Sequence, residues 1–252
     1  MVVNMSSRQA PPTVKAAKAA KATRPTAPTR KTAAKASAPK AKIPAKPAYH
    51  HGDLARALVH SATTLIQQGG PGALTLREAA RQAGVSVAAP YRHFADREAL
   101  LAAVLAEGFD GLAEHTERAR RKAPDALAAL RAVGLAYVEF AVGNPSVYRL
   151  MFGPECDKQA HPDLMASGQR AYGVLVQAVC DAQAAGLVQP GPPEVVALAG
   201  WSICHGLASL HADGLLEGRL PLTVDQVAQC LVDMLLSGAA LPPRGAAPAR
   251  RR

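Results

Sequence analysis

Between Thr75 and Arg97 the chain sets out side chains suited to holding an anion rather than breaking a bond. Arg77 and Arg92 carry planar guanidinium forks that match a guanine edge or a phosphate; for Arg92 the plain alternative is a solvated surface charge. The Thr75 hydroxyl can cap a helix and also donate to a phosphate. Arg97 stands near the start of a long helical pattern, where the backbone dipole attracts phosphate as well. Val87, Ala88 and Ala89 are too short to hydrogen-bond a base and suit thymine methyls or close approach. The sequence contains no nucleophile elbow, phosphate loop, paired catalytic carboxylates or metal-ligand spacing. An enzyme, a cofactor and a metal site are therefore not expected, and His50 and His51 are read as polar residues ahead of a domain.

Such groups must sit on a short rod held at a fixed angle. "YHHGDLARALVHSATTLIQQGG" places Asp53 as an N-cap and Leu54, Leu58, Ala62, Leu65 and Ile66 on one face of a first helix. In "LTLREAARQAG", Thr75 and Glu78 form a capping box ahead of a second helix of about two turns. Gly84 allows a tight turn, Ala80 is small where two helices cross, and Val85 and Phe94 plug the core beneath. Ser86 is expected to cap a third short helix, with Pro90 at its fourth position, where a missing N–H costs little. This is a helix-turn-helix, whose second helix enters the DNA major groove by its N-terminal end. Asp96 caps a long fourth helix through "REALLAAVLAEGFDGLAEHTERARR".

After Pro124 no run alternates with period two. Helices are expected from Asp125 to Gly143, over "NPSVYRLMF", and at about 163–185, 193–212 and 223–238, the last opened by a Thr223…Gln226 capping box. Residues 154–163 read as a mobile loop. The fold class is all-α, with about nine helices.

The stretch from Thr75 to Val104, with "AGVS", "YRHF" and "EALLAAV" in register, resembles the DNA-binding domain of the TetR family of transcriptional regulators. The likeness covers about 49–105. "WSICHG", with Trp201, His205 and Gly206, resembles the Trp-His-Gly signature of one subgroup's C-terminal domain. Pro90 and Arg97 depart from the common pattern, which holds a non-proline apolar residue and a lysine there. The resemblance implies a DNA-binding domain at 49–95 and a helical ligand-binding and dimerisation domain at 96–238. It places Ser86 in the DNA-facing set and makes Tyr91 and His93 phosphate ligands, fixing docking rather than sequence. It also implies a homodimer on a palindromic double-stranded operator, controlled by a small molecule and most simply acting as a repressor.

Phe109, Tyr137, Phe140, Tyr148, Met151, Trp201 and His205 are the candidate ligand contacts, within an aromatic and thioether set that also holds Phe152, Met165 and Tyr172; such residues at helical spacing are more often plain core than pocket. His205 shares a face with Trp201 and either bonds the ligand or is a satisfied buried polar group. With no cluster of acids in view, the expected effector is apolar or aromatic. Ile203, Leu207 and Leu210, with Val227, Leu231 and Leu235 on the last helix, form stripes suited to a dimer interface, or to burial within one chain.

Charge divides the chain. Of 29 Lys/Arg, 11 fall in residues 1–52 and four in 238–252, neither segment holding an acid, which leaves 14 against all 19 Asp/Glu in the middle. Residues 1–48 and 239–252 are expected to be disordered basic tails. The leader raises a second function, a nucleoid architectural protein binding DNA mainly through its lysines. The four cysteines, 24 to 26 residues apart, are expected as buried free thiols. No apolar run of membrane-spanning length and no secretory signal is read, so a cytoplasmic, nucleoid-associated setting is expected.

Overall fold

A computed structural model describes residues 51–219 and 221–239. The expectations for the two basic tails fall outside these residues, apart from Ala239. The described residues form eight α-helices and no strand: α1 (His51–Gly69), α2 (Leu76–Gln82), α3 (Arg97–Lys122), α4 (Ala126–Gly143), α5 (Pro145–Phe152), α6 (Pro162–Ala184), α7 (Pro193–Ala212) and α8 (Val224–Ala239). Three 3₁₀ turns join them at Pro71–Ala73, Pro90–Arg92 and Lys158–Ala160.

Local chemistry explains most boundaries. Asp96 Oδ1 accepts from the Ala99 N–H at 2.8 Å to open α3, and Asp125 Oδ1 accepts from Ala128 at 2.8 Å to open α4. Thr223 and Gln226 form a reciprocal box, Gln226 Oε1 accepting from the Thr223 N–H at 2.9 Å while Thr223 Oγ1 accepts from Gln226 at 3.3 Å. At Thr75 only half of the expected box forms. Its Oγ1 accepts from the Glu78 N–H at 3.0 Å, whereas the Glu78 carboxylate is drawn to the Arg81 guanidinium one turn on. That arginine holds the Glu78 carboxyl below its ordinary range. Helix α1 is described from His51, so the Asp53 backbone is already helical where the sequence expectation put an N-cap. Replacing Asp96 by alanine removes the cap of the longest helix and is expected to cost about 1 kcal/mol, or about 2–4 °C in Tm by thermal denaturation.

The segment at 154–163 is not a free loop. Cys156 is buried, Asp157 donates its N–H to Glu98 Oε1 at 2.9 Å, and Lys158 Nζ donates to the Gly153 carbonyl. The polar composition of this stretch hid the anchors, which come from elsewhere in the chain. All four thiols are free, but only Cys156 and Cys204 are buried; Cys180 is half-buried, and Cys230 is exposed because it lies on the outer face of α8.

Helix α3 spans 26 residues, about 39 Å at 1.5 Å per residue. Its first half shares a core with α1 and α2, where Leu58, Ile66, Leu74, Leu100, Leu101 and Leu105 are fully buried. Its second half packs against α4 and α6. Arg120 ties α3 to α6 through Asp181 at 2.7 Å and also holds Glu117. Hydrogen bonds from Arg120 and Arg121 outweigh desolvation and bring the Glu117 carboxyl to about 2. Helices α4, α6, α7 and α8 enclose a second core around Val138, Val179, Ala182 and Cys204. Contrary to the sequence reading, α4 and α7 are each long and apolar enough to cross a membrane; here they are bundle helices packed on one another.

Candidate nucleic-acid interface and internal cavity

The interface is built on the turn after α2. Gly84, at φ +68°, ends the helix in a left-handed residue that a side chain would strain. The Val85 N–H bonds the Ala80 carbonyl at 3.0 Å and the Gly84 N–H bonds Arg81 at 3.1 Å, the paired closure of a Schellman motif. Ala80 is fully buried and Val85 packs on the core, so the chain leaves α2 at a set angle.

The expected third α-helix does not form. Pro90 has no N–H to offer the Ser86 carbonyl, which would be its partner four residues back. The segment closes tighter turns instead: Ala89 to Ser86 at 3.0 Å, Arg92 to Ala89 at 3.3 Å and His93 to Pro90 at 2.9 Å. This is why eight helices are found where nine were expected, and why Ser86 caps no α-helix. The rod survives as right-handed turns, with Ala89 at φ −63°, ψ −41°. Pro90 and Phe94 point inward and are buried. Ser86, Val87, Ala88, Tyr91 and Arg92 face outward, Tyr91 at 60 % exposure, while Ala89 and His93 are half-buried. Thr75 and Arg77 are exposed at the head of α2. Arg97 has a second occupation. Its Nε donates to the Leu74 carbonyl at 2.9 Å and its Nη2 to Pro71 at 2.7 Å, fastening the start of α3 to the α1–α2 connection.

The C-terminal body holds a cavity of about 270 Å³ lined from all six of its helices, close to the lower end for small-molecule sites. Phe109, Tyr137 and Trp201 line it, as expected. Phe140, Tyr148, Met151 and His205 do not, because helix rotation turns them into the surrounding packing; Tyr148 and Met151 are fully buried. Phe152 and Tyr172, of the wider aromatic set, also line the cavity; the sequence reading missed Thr116 and Cys204 in the lining, along with the glycines Gly134, Gly168 and Gly200. Small residues lining a void look in sequence like small residues at a helix crossing, so no signal separated the two.

Behind the lining lies a closed polar network. The Tyr148 hydroxyl is 2.7 Å and the Tyr137 hydroxyl 2.9 Å from His205 Nδ1, and the two hydroxyls are 3.1 Å apart. The Trp201 indole N–H donates to the Tyr137 oxygen at 3.2 Å, and Ser209 Oγ lies 3.5 Å from His205 Nε2. Burial lowers the His205 pKa and so favours neutral imidazole. With Nδ1 accepting from the nearer hydroxyl, that of Tyr148, the proton lies on Nε2, facing Ser209. Burial also raises the pKa of both tyrosines, and it pushes the Cys204 thiol up to about 11. His205 is thus a satisfied interior group, and the surface offered to a ligand is almost wholly apolar.

The expected dimer stripes are divided by the fold. Leu207 is buried in the second core, Leu235 lines the cavity, and Val227 and Leu231 are partly buried against that core. Ile203 is half-buried and Leu210 exposed. The large apolar residues that α7 and α8 present outward are Val195, Leu198, Leu210 and Met234, the last at 71 % exposure. Helix α7 is apolar on most of its circumference, so periodicity alone misjudged its rotation.

Two family models match the chain: "Bacterial regulatory proteins, tetR family" over residues 58–104 and "Tetracyclin repressor-like, C-terminal domain" over residues 130–235. No curated protein matches it. Among solved structures, a protein of unknown function from Rhodococcus sp. RHA1 is 38% identical, with 78% of this chain and 100% of that chain covered and a TM-score of 0.69. A TetR family transcription regulator from Marinobacter aquaeolei is 20% identical (75% of this chain, 96% of that chain, TM-score 0.58). The TetR family transcriptional regulator PfmR from Thermus thermophilus is also 20% identical (71% and 97%, TM-score 0.55); both share the fold. A reader with Gly84 at its turn, followed by a helical body that the second model spans from α4 to α8, is the order of parts those regulators have, and this chain belongs to the TetR family of transcriptional regulators.

Proposed function

We propose that the protein is a small-molecule-controlled repressor that binds a palindromic operator as a homodimer. Tyr91, His93 and Thr75 hold phosphates, Arg77 and Arg92 supply guanine or phosphate contacts, and Val87 to Ala89 lie against base edges. Arg97 adds a phosphate contact with the N–H groups its two carbonyl partners leave over. The exposed stripe of α7 and α8 pairs with its copy and carries two readers. The effector is an apolar or aromatic molecule held in the cavity.

One observation carries this reading. A single helix, α3, lines the cavity with Phe109, Leu112 and Thr116 and shares the reader's core through Leu100, Leu101 and Leu105. A ligand that displaces the far half of α3 therefore moves the reader. Two readers must meet half-sites one helical turn, roughly 34–36 Å, or a multiple apart, so a shift of a few ångströms in each spoils simultaneous docking.

The test is selection from random duplex DNA with the chain shortened by residues 1–47. An enriched inverted repeat is the expected outcome. No preference for any sequence, with DNA affinity restored only by the lysine-rich leader and falling steeply with salt, would leave the architectural reading in its place.

A further inference from the structure

We propose that Glu98, Cys156 and His161 form a binding site for a thiophilic divalent cation of the zinc type. Glu98 lies in the first turn of α3, Cys156 in the segment between α5 and α6, and His161 immediately before α6. The ligand atoms they offer all lie within 4.8 Å of one another. A tetrahedral ion bound at about 2.3 Å to sulfur and about 2.0–2.2 Å to nitrogen and oxygen would draw them to roughly 3.3–3.6 Å apart. That contraction is within reach of side-chain rotation, because Glu98 and His161 keep 48 % and 25 % of their side-chain surface exposed.

The surroundings favour an ion over a mere ion pair. His161 Nε2 and Glu98 Oε1 stand 4.0 Å apart, too far for a hydrogen bond and spaced so that an ion can enter between them. The Asp157 N–H donates to Glu98 Oε1 at 2.9 Å, orienting the carboxylate as outer-shell donors do at metal centres. The two cations nearest these ligands in the sequence are engaged elsewhere, Arg97 on the Leu74 and Pro71 carbonyls and the Lys158 ammonium on the Gly153 carbonyl. Cys156 closes the buried side, leaving the exposed side open for a water as fourth ligand.

Donor chemistry selects the ion. One thiolate, one imidazole and one carboxylate suit zinc and its borderline neighbours, whereas calcium and magnesium want oxygen alone. The thiolate and carboxylate together balance a dication. Occupancy would join the start of the reader-bearing helix to the head of α6.

The experiment uses the full chain, stripped of metal by chelator and titrated with Co²⁺ as the probe. One equivalent should bind, with the visible absorption of tetrahedral cobalt and a near-ultraviolet thiolate-to-metal charge-transfer band, and Zn²⁺ should displace it. Cys156→Ser should lose the charge-transfer band. His161→Gln and Glu98→Gln should keep the band and weaken binding at least about tenfold. Cys230→Ser should match the parent, since its thiol lies on the outer face of α8. No charge-transfer band in the parent, or a band that survives Cys156→Ser or vanishes in Cys230→Ser, overturns the site. Should Cys156→Ser fail to fold by circular dichroism, His161→Gln decides, and unchanged cobalt affinity in that variant sinks the proposal. No DNA takes part, so the result stands apart from the operator reading.

Discussion

The double substitution Tyr91→Ala, Arg92→Ala is expected to weaken binding to the selected operator by roughly a hundredfold or more. Both side chains are exposed on the outward face of the Ser86–His93 segment, so neither supports the fold. Each is a donor to a charged or base-edge acceptor in the proposed complex, and such contacts contribute about 1–3 kcal/mol apiece. Anisotropy titrations at several salt concentrations separate the parts. Losing a phosphate contact lowers the salt slope by about one, while losing a base contact relaxes preference at one position. Tyr91→Phe with His93→Ala should weaken binding to every sequence alike, whereas a changed base preference would remove these two residues from the phosphate set. Unchanged operator affinity in the Tyr91→Ala, Arg92→Ala protein would mean that this face does not meet DNA.

Gly168→Leu is expected to abolish effector binding, by roughly a hundredfold or more, while leaving operator binding intact. Gly168 lines the cavity, and a β-carbon built there meets nothing within 4 Å, so the new side chain grows into open space rather than into packing. Four added carbons occupy much of a cavity of about 270 Å³, and a ligand can no longer share it. Stability should hold or rise, because leucine exceeds glycine in helix propensity by roughly 0.6–1 kcal/mol and buries apolar surface. The measurement has an internal reporter: Trp201, the only tryptophan of the chain, lines the same cavity. Titration with the neutral aromatic probe 1-aminoanthracene should quench Trp201 in the parent and leave it unchanged in Gly168→Leu. Equal quenching in both would place the ligand elsewhere.

The readable parts of this protein were those whose causes lie within a few residues. Asp96, Asp125 and the Thr223–Gln226 pair mark helix starts because a cap reaches only two or three residues ahead. Leu58, Ala62, Leu65 and Ile66 identify a buried face because one side of α1 alone is apolar. The turn at Gly84 is likewise local. Pro90 shows the limit of local reading: its missing N–H is visible in the sequence and a cap at Ser86 favours a helix, yet the chain forms a rod of tight turns instead of an α-helix.

Where an outcome depends on how a helix is rotated about its axis, sequence had less to offer. Leu207 turned inward, and Val195 and Leu198 outward, because α7 is apolar on most sides and only its neighbours choose which side is buried. The same holds for the cavity, a place where side chains from six helices fail to meet. Glu98 and Cys156 are 58 positions apart, and only the packing of α3 against the head of α6 brings them together with His161. By itself the order of residues determined the family and all the helices but the reader's own rod, because these follow from short-range hydrogen bonds and one-sided apolar patterns. Tertiary structure alone decided the void, the outward stripe and the Glu–Cys–His cluster, because each is a distance between residues that no local interaction constrains.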